Sequence, residues 1–125
     1  MKRTLPLLLA LLAAPAIAAT ELDYTAAKAL ADKDEASLGR EQGSALLDSQ
    51  SKLLGDGVAA CATPNPDLSA FVVVMELDAT GKVVRTWLQG DSPLAICFRT
   101  FAARGELPAP PRTPFYSSIE LSFTK

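Results

Sequence analysis

The two cysteines, Cys61 and Cys97, constrain the fold of this 125-residue chain more than any other feature, because the sequence contains no histidine to accompany them. Zinc sites take four ligands from cysteine, histidine or carboxylate side chains, so the usual ligand sets cannot be assembled here. In an oxidising compartment, two cysteines allow a single intramolecular disulfide. The interpretation of the pair therefore depends on whether the chain is exported.

The N-terminus has the organisation of a secretory signal peptide. Residues 1–19 begin with a basic pair, continue with an apolar run from Leu5 to Ala14, and end in small residues that allow cleavage after Ala18 or Ala19. The alternative is a membrane anchor, but about ten apolar residues reach only about 15 Å, half of the ~30 Å hydrocarbon core. We therefore predict a cleaved signal, a periplasmic location and a disulfide between Cys61 and Cys97.

The charge of the remaining chain excludes several classes of partner. Loss of Lys2 and Arg3 with the signal leaves ten basic residues against fourteen acidic ones, a net charge of −4. No cluster of Lys and Arg is present, so nucleic acid and anionic membrane surfaces are poor partners. No second apolar run approaches eighteen residues, so we expect no stable membrane insertion after cleavage.

Two helical segments precede the first strand. Residues 20–39 are rich in Ala, Leu and charge but carry only a thin apolar stripe, which predicts an N-terminal helical arm outside a domain at 40–125. Residues 40–61 predict a helix whose buried face contains Leu47, Leu54, Val58 and Cys61. Each glycine costs about 1 kcal/mol in a helix, so a break at the "GDG" of 55–57 is expected.

A hairpin, a helix and a last strand follow. Alternation from Phe71 to Leu77 and β-branched residues after a loop with Gly81 predict two antiparallel strands. Asp91 or Ser92 can cap a helix that starts at Pro93 and ends at a left-handed Gly105. The inner face of that helix is predicted to contain Leu94, Cys97, Phe98 and Phe101.

After a proline-rich connector, residues 115–123 predict a strand with one buried and one wet face. Residues 115, 119, 121 and 123 are apolar and assigned to the buried face, whereas residues 116, 118, 120 and 122 are assigned to solvent. A helix that returns the chain after a hairpin places the third strand antiparallel to the first.

The expected fold class is α+β: a three-stranded antiparallel sheet in the order 2-1-3, with two helices packed on one face and an additional N-terminal helical arm. Side by side, the two helices bring Cys61 and Cys97 within bonding distance. Such a bridge is worth roughly 3–4 kcal/mol in the loop-entropy description.

The sequence offers little for catalysis. Without histidine, no Ser–His or Cys–His nucleophile pair can form, and the two cysteines are not a CxxC redox motif. Glu76 and Asp78 lie two residues apart on the outer face of the first strand, where two acidic side chains are normally only solvated. We therefore expect no enzyme activity, no cofactor and no metal.

The order and spacing of the motifs from Cys61 to the C-terminus resemble the C-terminal domain of TolA and, more loosely, that of TonB. In that pattern a hairpin leads to a "GD..LC" motif, an amphipathic helix, a "P.PP" connector and a final strand. The matching residues here are Thr80, Gly81, Gly90, Asp91, Cys97, Pro108, Pro110, Pro111 and the strand from Phe115 to Phe123.

The resemblance implies a periplasmic module that binds an envelope protein by adding a strand to the edge of its sheet. The corresponding edge residues here are Ser117, Ile119, Leu121 and Phe123. Capping of the same edge by the C-terminus or by the N-terminal arm is an equally weighted alternative. A second candidate function is an exported inhibitor or immunity-type protein, with the stretch "GELPAPPRTPFY" as its binding loop.

Overall fold

The computed structural model describes residues 21–123; the predicted signal peptide at 1–19 lies outside the described residues. Three helices and three strands follow one another as α1 (Tyr24–Ala36), α2 (Arg40–Ala60), β1 (Phe71–Leu77), β2 (Val83–Gln89), α3 (Pro93–Ala102) and β3 (Phe115–Leu121). The strands form one sheet in the order β2-β1-β3, and both pairings are antiparallel. The predicted α+β fold class and strand order are confirmed.

One face of the sheet carries the larger core, covered by α2 and α3. The alternating residues of β1 are all buried there: Phe71, Val73, Met75 and Leu77. Their partners from the two helices and β3 include Leu46, Leu94, Phe98 and Ile119, and the rings of Phe71 and Phe98 lie 5.6 Å apart. Burying each such side chain contributes about 1.5–3 kcal/mol, so this face supplies most of the hydrophobic stabilisation.

The second face of the sheet is covered by α1, which differs from the predicted wet face. Tyr116, which was assigned to that face, is buried together with Val74 of β1 against Ala27 and Ala31 of α1. The small alanine side chains let the helix lie close to the strands, which explains how a thin apolar stripe makes a tight contact. Trp87 closes this layer by donating its indole N–H to the backbone carbonyl of Leu22 at 2.8 Å.

The long helix α2 is continuous through its two central glycines, contrary to the predicted break. Gly57 is buried, and a Cβ added there would lie 2.6 Å from Cε2 of Phe98, so glycine permits the close approach of α3. The predicted inner face was also misplaced by one residue at its start. Leu46 is buried in the core, whereas Leu47 is 63% exposed.

The disulfide between Cys61 and Cys97 is present, with a Cα–Cα distance of 5.9 Å. It joins the C-terminal end of α2 to the middle of α3. The prediction that Cys97 lies on the buried stripe is wrong: Cys97 is exposed at the flank of α3, and Leu94, Ala95, Phe98 and Ala102 form the buried face. From this flank Cys97 reaches Cys61, which is itself a buried member of the core.

Of the two predicted ends of α3, the N-terminal one is confirmed and the C-terminal one is wrong. Ser92 is the N-cap, and its hydroxyl accepts a hydrogen bond from the backbone N–H of Ala95 at 3.1 Å. The predicted left-handed cap at Gly105 is not found, because the helix ends at Ala102 and the glycines with positive φ are Gly81 and Gly90.

Within residues 21–123, no helix combines the length and the apolar composition that crossing a bilayer requires.

Candidate functional site at the outer edge of β3

Half of the outer edge of β3 is already hydrogen-bonded by side chains from the helices. The backbone N–H of Tyr116 donates to Asp34 Oδ2 at 3.0 Å, and the N–H of Ser118 donates to Glu35 Oε1 at 2.7 Å. The carbonyl of Ser118 accepts from Gln50 Nε2 at 3.0 Å. Because strand groups alternate in direction, the residues between them turn their backbone towards β1.

Asp34 is fixed in this role by a second partner. Its Oδ1 accepts a hydrogen bond from Arg112 Nη2 at 2.9 Å, and the guanidinium of Arg112 lies 5.5 Å from the centre of the Phe115 ring. Asp34 is buried, so its charge is offset by this arginine and by the N–H of Tyr116. The end of α1 is thereby joined to both β3 and the connector that precedes it.

Glu35, Gln50 and Ser117 form a compact polar cluster beneath the same edge. The hydroxyl of Ser117, whose residue is fully buried, donates to Glu35 at 2.9 Å and accepts from Gln50 at 2.7 Å. Gln50 also lies 3.1 Å from Glu35. No buried side-chain nitrogen or oxygen among residues 21–123 lacks a partner, so this cluster is fully satisfied.

The second half of the edge differs, because Glu120 is the next residue whose backbone turns outward. Among the described residues, no group hydrogen-bonds to the outward N–H or C=O of Glu120. Its carboxylate extends sideways to Lys28 Nζ at 3.3 Å. The edge therefore changes after Ser118, from a part in which both outward N–H groups are capped by carboxylates to a part in which neither the N–H nor the C=O has a partner among the described residues.

The structure places the four predicted edge residues in different environments. Ser117 and Ile119 are buried, and Leu121 is half-buried against the core. Phe123 follows the end of β3 and is 39% exposed. Only Phe123 therefore offers a partner its side chain, and strand addition along this edge would use the backbone of the outward-facing residues.

The alternative that the N-terminal arm caps this edge is met at Tyr116 and Ser118, but sequence reasoning did not identify Asp34, Glu35 or Gln50 as the capping groups. Acidic and amide residues on a polar helix are ordinarily solvated, and nothing in their spacing distinguishes these three. Their role depends on how α1 and α2 flank β3, which only the tertiary arrangement defines.

A groove of about 440 Å³ lies between α1 and α2 above this edge. Its base is formed by the edge of β3, and its walls carry both charged and apolar side chains. The lining residues are Lys28, Asp32, Glu35, Leu47, Gln50, Ser51, Leu54, Ser118, Ile119 and Glu120.

The opposite edge of the sheet is partly occupied as well. Arg99 of α3 donates from Nε to the hydroxyl of Thr86 at 3.1 Å and from Nη2 to the carbonyl of Thr86 at 3.3 Å. Because α3 lies over β2, a partner strand arriving at this edge would meet the Arg99 side chain.

The two carboxylates considered in the sequence have structural partners. Glu76 accepts hydrogen bonds from Tyr116 Oη at 3.1 Å and from Arg85 Nη2 at 3.2 Å. Burial, together with the Glu76 carboxylate, raises the pKa of the Tyr116 phenol. Asp78 accepts from the hydroxyl and N–H of Thr80, and these hydrogen bonds lower the pKa of its carboxyl.

Both acids therefore order the hairpin and its neighbours rather than facing each other across a cleft. Among residues 21–123, no group of three or more histidine, cysteine or carboxylate side chains converges as a metal site would require. Comparison of the chain with models of known families, with curated proteins and with solved structures found no match in any of the three.

Proposed function

We propose that this protein is a non-enzymatic, periplasmic binding module of the TolA/TonB C-terminal type. Its partner is a protein of the cell envelope, and an extended segment of that partner pairs with the open part of the β3 edge as an additional strand. The disulfide supports an oxidising compartment, and the signal-like N-terminus agrees with export. The fold order of hairpin, helix and final strand supports the assignment of type.

The observation that carries the proposal is the contrast along β3. Side chains of α1 and α2 hydrogen-bond the outward N–H groups of Tyr116 and Ser118 and the carbonyl of Ser118, whereas neither outward group of Glu120 has a partner among the described residues. An incoming extended segment gains main-chain hydrogen bonds there, and its side chains enter the adjacent groove. Of the predicted edge residues, Phe123 follows this open part and is 39% exposed, whereas Leu121 pairs with Phe71 of β1.

The test removes one outward N–H. Glu120→Pro deletes the outward donor but leaves the ladder to β1 intact, because proline is tolerated in an edge strand where its missing N–H faces outward. Glu120→Ala is the matched control, since it loses the carboxylate and keeps the N–H. Each variant is used to capture partners from an envelope extract, with circular dichroism as the check on folding.

We expect Glu120→Ala to retain the captured envelope protein and Glu120→Pro to lose it. Thr86→Pro, on the edge of β2, is the control for the opposite side of the sheet. Capture that survives Glu120→Pro in a folded protein would contradict strand addition at β3. Capture lost only in Thr86→Pro would place the partner on the other edge.

The second candidate, an exported inhibitor, has one observation in its favour. The proline-rich connector is held at both ends, by the Leu107 N–H donating to the Gly81 carbonyl at 2.9 Å and by Arg112 pairing with Asp34. Between these anchors Ala109 and Pro111 are exposed, as a preorganised binding loop requires. Photo-crosslinkers at Ala109 and at Phe123 separate the two functions by showing which surface reaches the partner.

A further inference from the structure

We infer that the groove between α1 and α2 binds an extended peptide segment in which basic side chains flank an apolar one. The inference rests on the proposed strand addition at β3 and adds the chemistry of the partner. Three independent features of the groove carry it: an open backbone, an exposed apolar wall and an acidic rim.

The open backbone specifies an extended ligand. The edge of β3 at Ser118, Ile119 and Glu120 lines the base of the groove, and the outward groups of Glu120 lack partners among the described residues. At about 3.3 Å per residue, the groove edge accommodates a few residues of an added strand. A helix would satisfy its own backbone internally and leave Glu120 unpaired.

The apolar wall specifies at least one hydrophobic side chain. Leu47 is 63% exposed on α2, and Leu54 is half-buried two turns further along the same helix. Both line the groove beside Ile119. An aliphatic side chain that enters here removes the exposed part of Leu47 from water, which is favourable in proportion to the apolar area covered.

The acidic rim of the groove specifies a ligand with basic side chains. Asp32 and Glu120, whose side chains are 61% and 63% exposed, face the groove together with Glu35. Lys28 is the single basic residue of the lining, and it already contacts both Asp32 and Glu120. A Lys or Arg on the ligand meets available carboxylate oxygens, whereas an acidic ligand is repelled.

The same charge argues against a second copy of this chain as the occupant. Antiparallel pairing of two β3 edges around Glu120 would place two glutamates opposite each other, and like charges in that position are destabilising. Residues 118–122 of the strand contain no basic side chain, and Lys28, which contacts Glu120 from α1, is already shared with Asp32.

The test compares two peptides with the exported, disulfide-bonded protein by fluorescence anisotropy. One alternates lysine with valine and leucine, and the other carries glutamate in place of lysine. We expect about a tenfold preference for the basic peptide at low salt, the size that two exposed ion pairs can supply. The preference should shrink at high salt.

Matched variants assign the preference to the groove. Asp32→Lys with Glu120→Lys should reverse the preference, while Glu41→Lys with Glu106→Lys makes the same change in net charge outside the groove and should preserve it. Leu47→Asn should weaken the basic peptide about fivefold. Equal binding of both peptides, or a reversal by the control pair, overturns the inference.

A peptide with N-methylated backbone amides separates this inference from the proposed function. Loss of binding on methylation together with a basic preference supports both. If methylation abolishes binding but the basic and acidic peptides bind equally, strand addition is supported and the inferred basic character of the ligand is overturned. A charge preference that methylation does not change supports the groove ligand but removes strand addition, and failure of the basic peptide to bind at millimolar concentration overturns the inference.

Discussion

Replacing Gly57 by alanine should destabilise the protein, because the contact between α2 and α3 leaves no room for a Cβ. An ideal Cβ at this position would lie 2.6 Å from Cε2 and 2.7 Å from Cδ2 of Phe98, and 2.9 Å from Cδ1 of Phe101. Phe98 is fully buried in the core and cannot rotate away without displacing its neighbours. The two helices must therefore separate, or the ring must leave its rotamer.

The expected magnitude follows from two opposing effects. Introducing a methyl group into a packed core costs about 1–3 kcal/mol, and here the three contacts favour the upper part of that range. Alanine in place of glycine in a helix contributes about 1 kcal/mol in the other direction. The net loss in the free energy of unfolding should be about 1–2 kcal/mol, or a fall in Tm of roughly 4–16 °C for a domain of this size.

Gly55 provides the matched control in the same helix. A Cβ added at Gly55 meets nothing within 4 Å, so Gly55→Ala should stabilise the protein by up to about 1 kcal/mol. Urea unfolding followed by circular dichroism, with the disulfide intact, measures both variants. Equal stability of Gly55→Ala and Gly57→Ala would refute the packing argument, since helix propensity alone would then account for both.

Three further predictions concern the bridge, the edge and the buried phenol. Exchanging Cys61 and Cys97 together for serine should lower the free energy of unfolding by about 3–4 kcal/mol in urea, and an unchanged midpoint would contradict the loop-entropy estimate. Asp34→Ala should lower the free energy of unfolding by about 2–3 kcal/mol and accelerate amide exchange at Tyr116. Asp34→Asn keeps an acceptor oxygen and should lower the free energy of unfolding by less. Burial raises the pKa of the Tyr116 phenol above 10.0. The stability that this shift contributes is therefore present below pH 10 and is lost as pH rises through the folded-state pKa. A Tyr116→Phe variant with the same alkaline unfolding profile as the original protein would contradict this.

The hydrogen bonds along the edge of β3 could not be predicted from the sequence. Alternation placed β3 and its antiparallel partner, but it could not reveal that Asp34 and Glu35 reach the outward N–H groups of Tyr116 and Ser118. Those hydrogen bonds join residues more than eighty positions apart in the chain. No local pattern encodes such a contact, since it requires α1 to lie against β3 in one orientation.

The same reason explains the two errors in helix faces. A period of 3.6 residues identifies that a face exists, but its centre depends on which neighbours the helix meets. In α2 the contact centres on Leu46 and Gly57, so Leu47 was left in solvent. In α3 the core takes Phe98, and Cys97 lies at the flank where it meets Cys61.

The sequence by itself determined the strands, their order, the Ser92 cap of α3 and the disulfide pairing, because each follows from local periodicity, turn chemistry or the presence of only two cysteines. The tertiary structure decided that α1 covers the second face of the sheet and that, within residues 21–123, the outward backbone groups of Glu120 are left without a partner. Those features arise from long-range packing and from hydrogen bonds between distant side chains and backbone, and their free energy exists only once the elements have assembled.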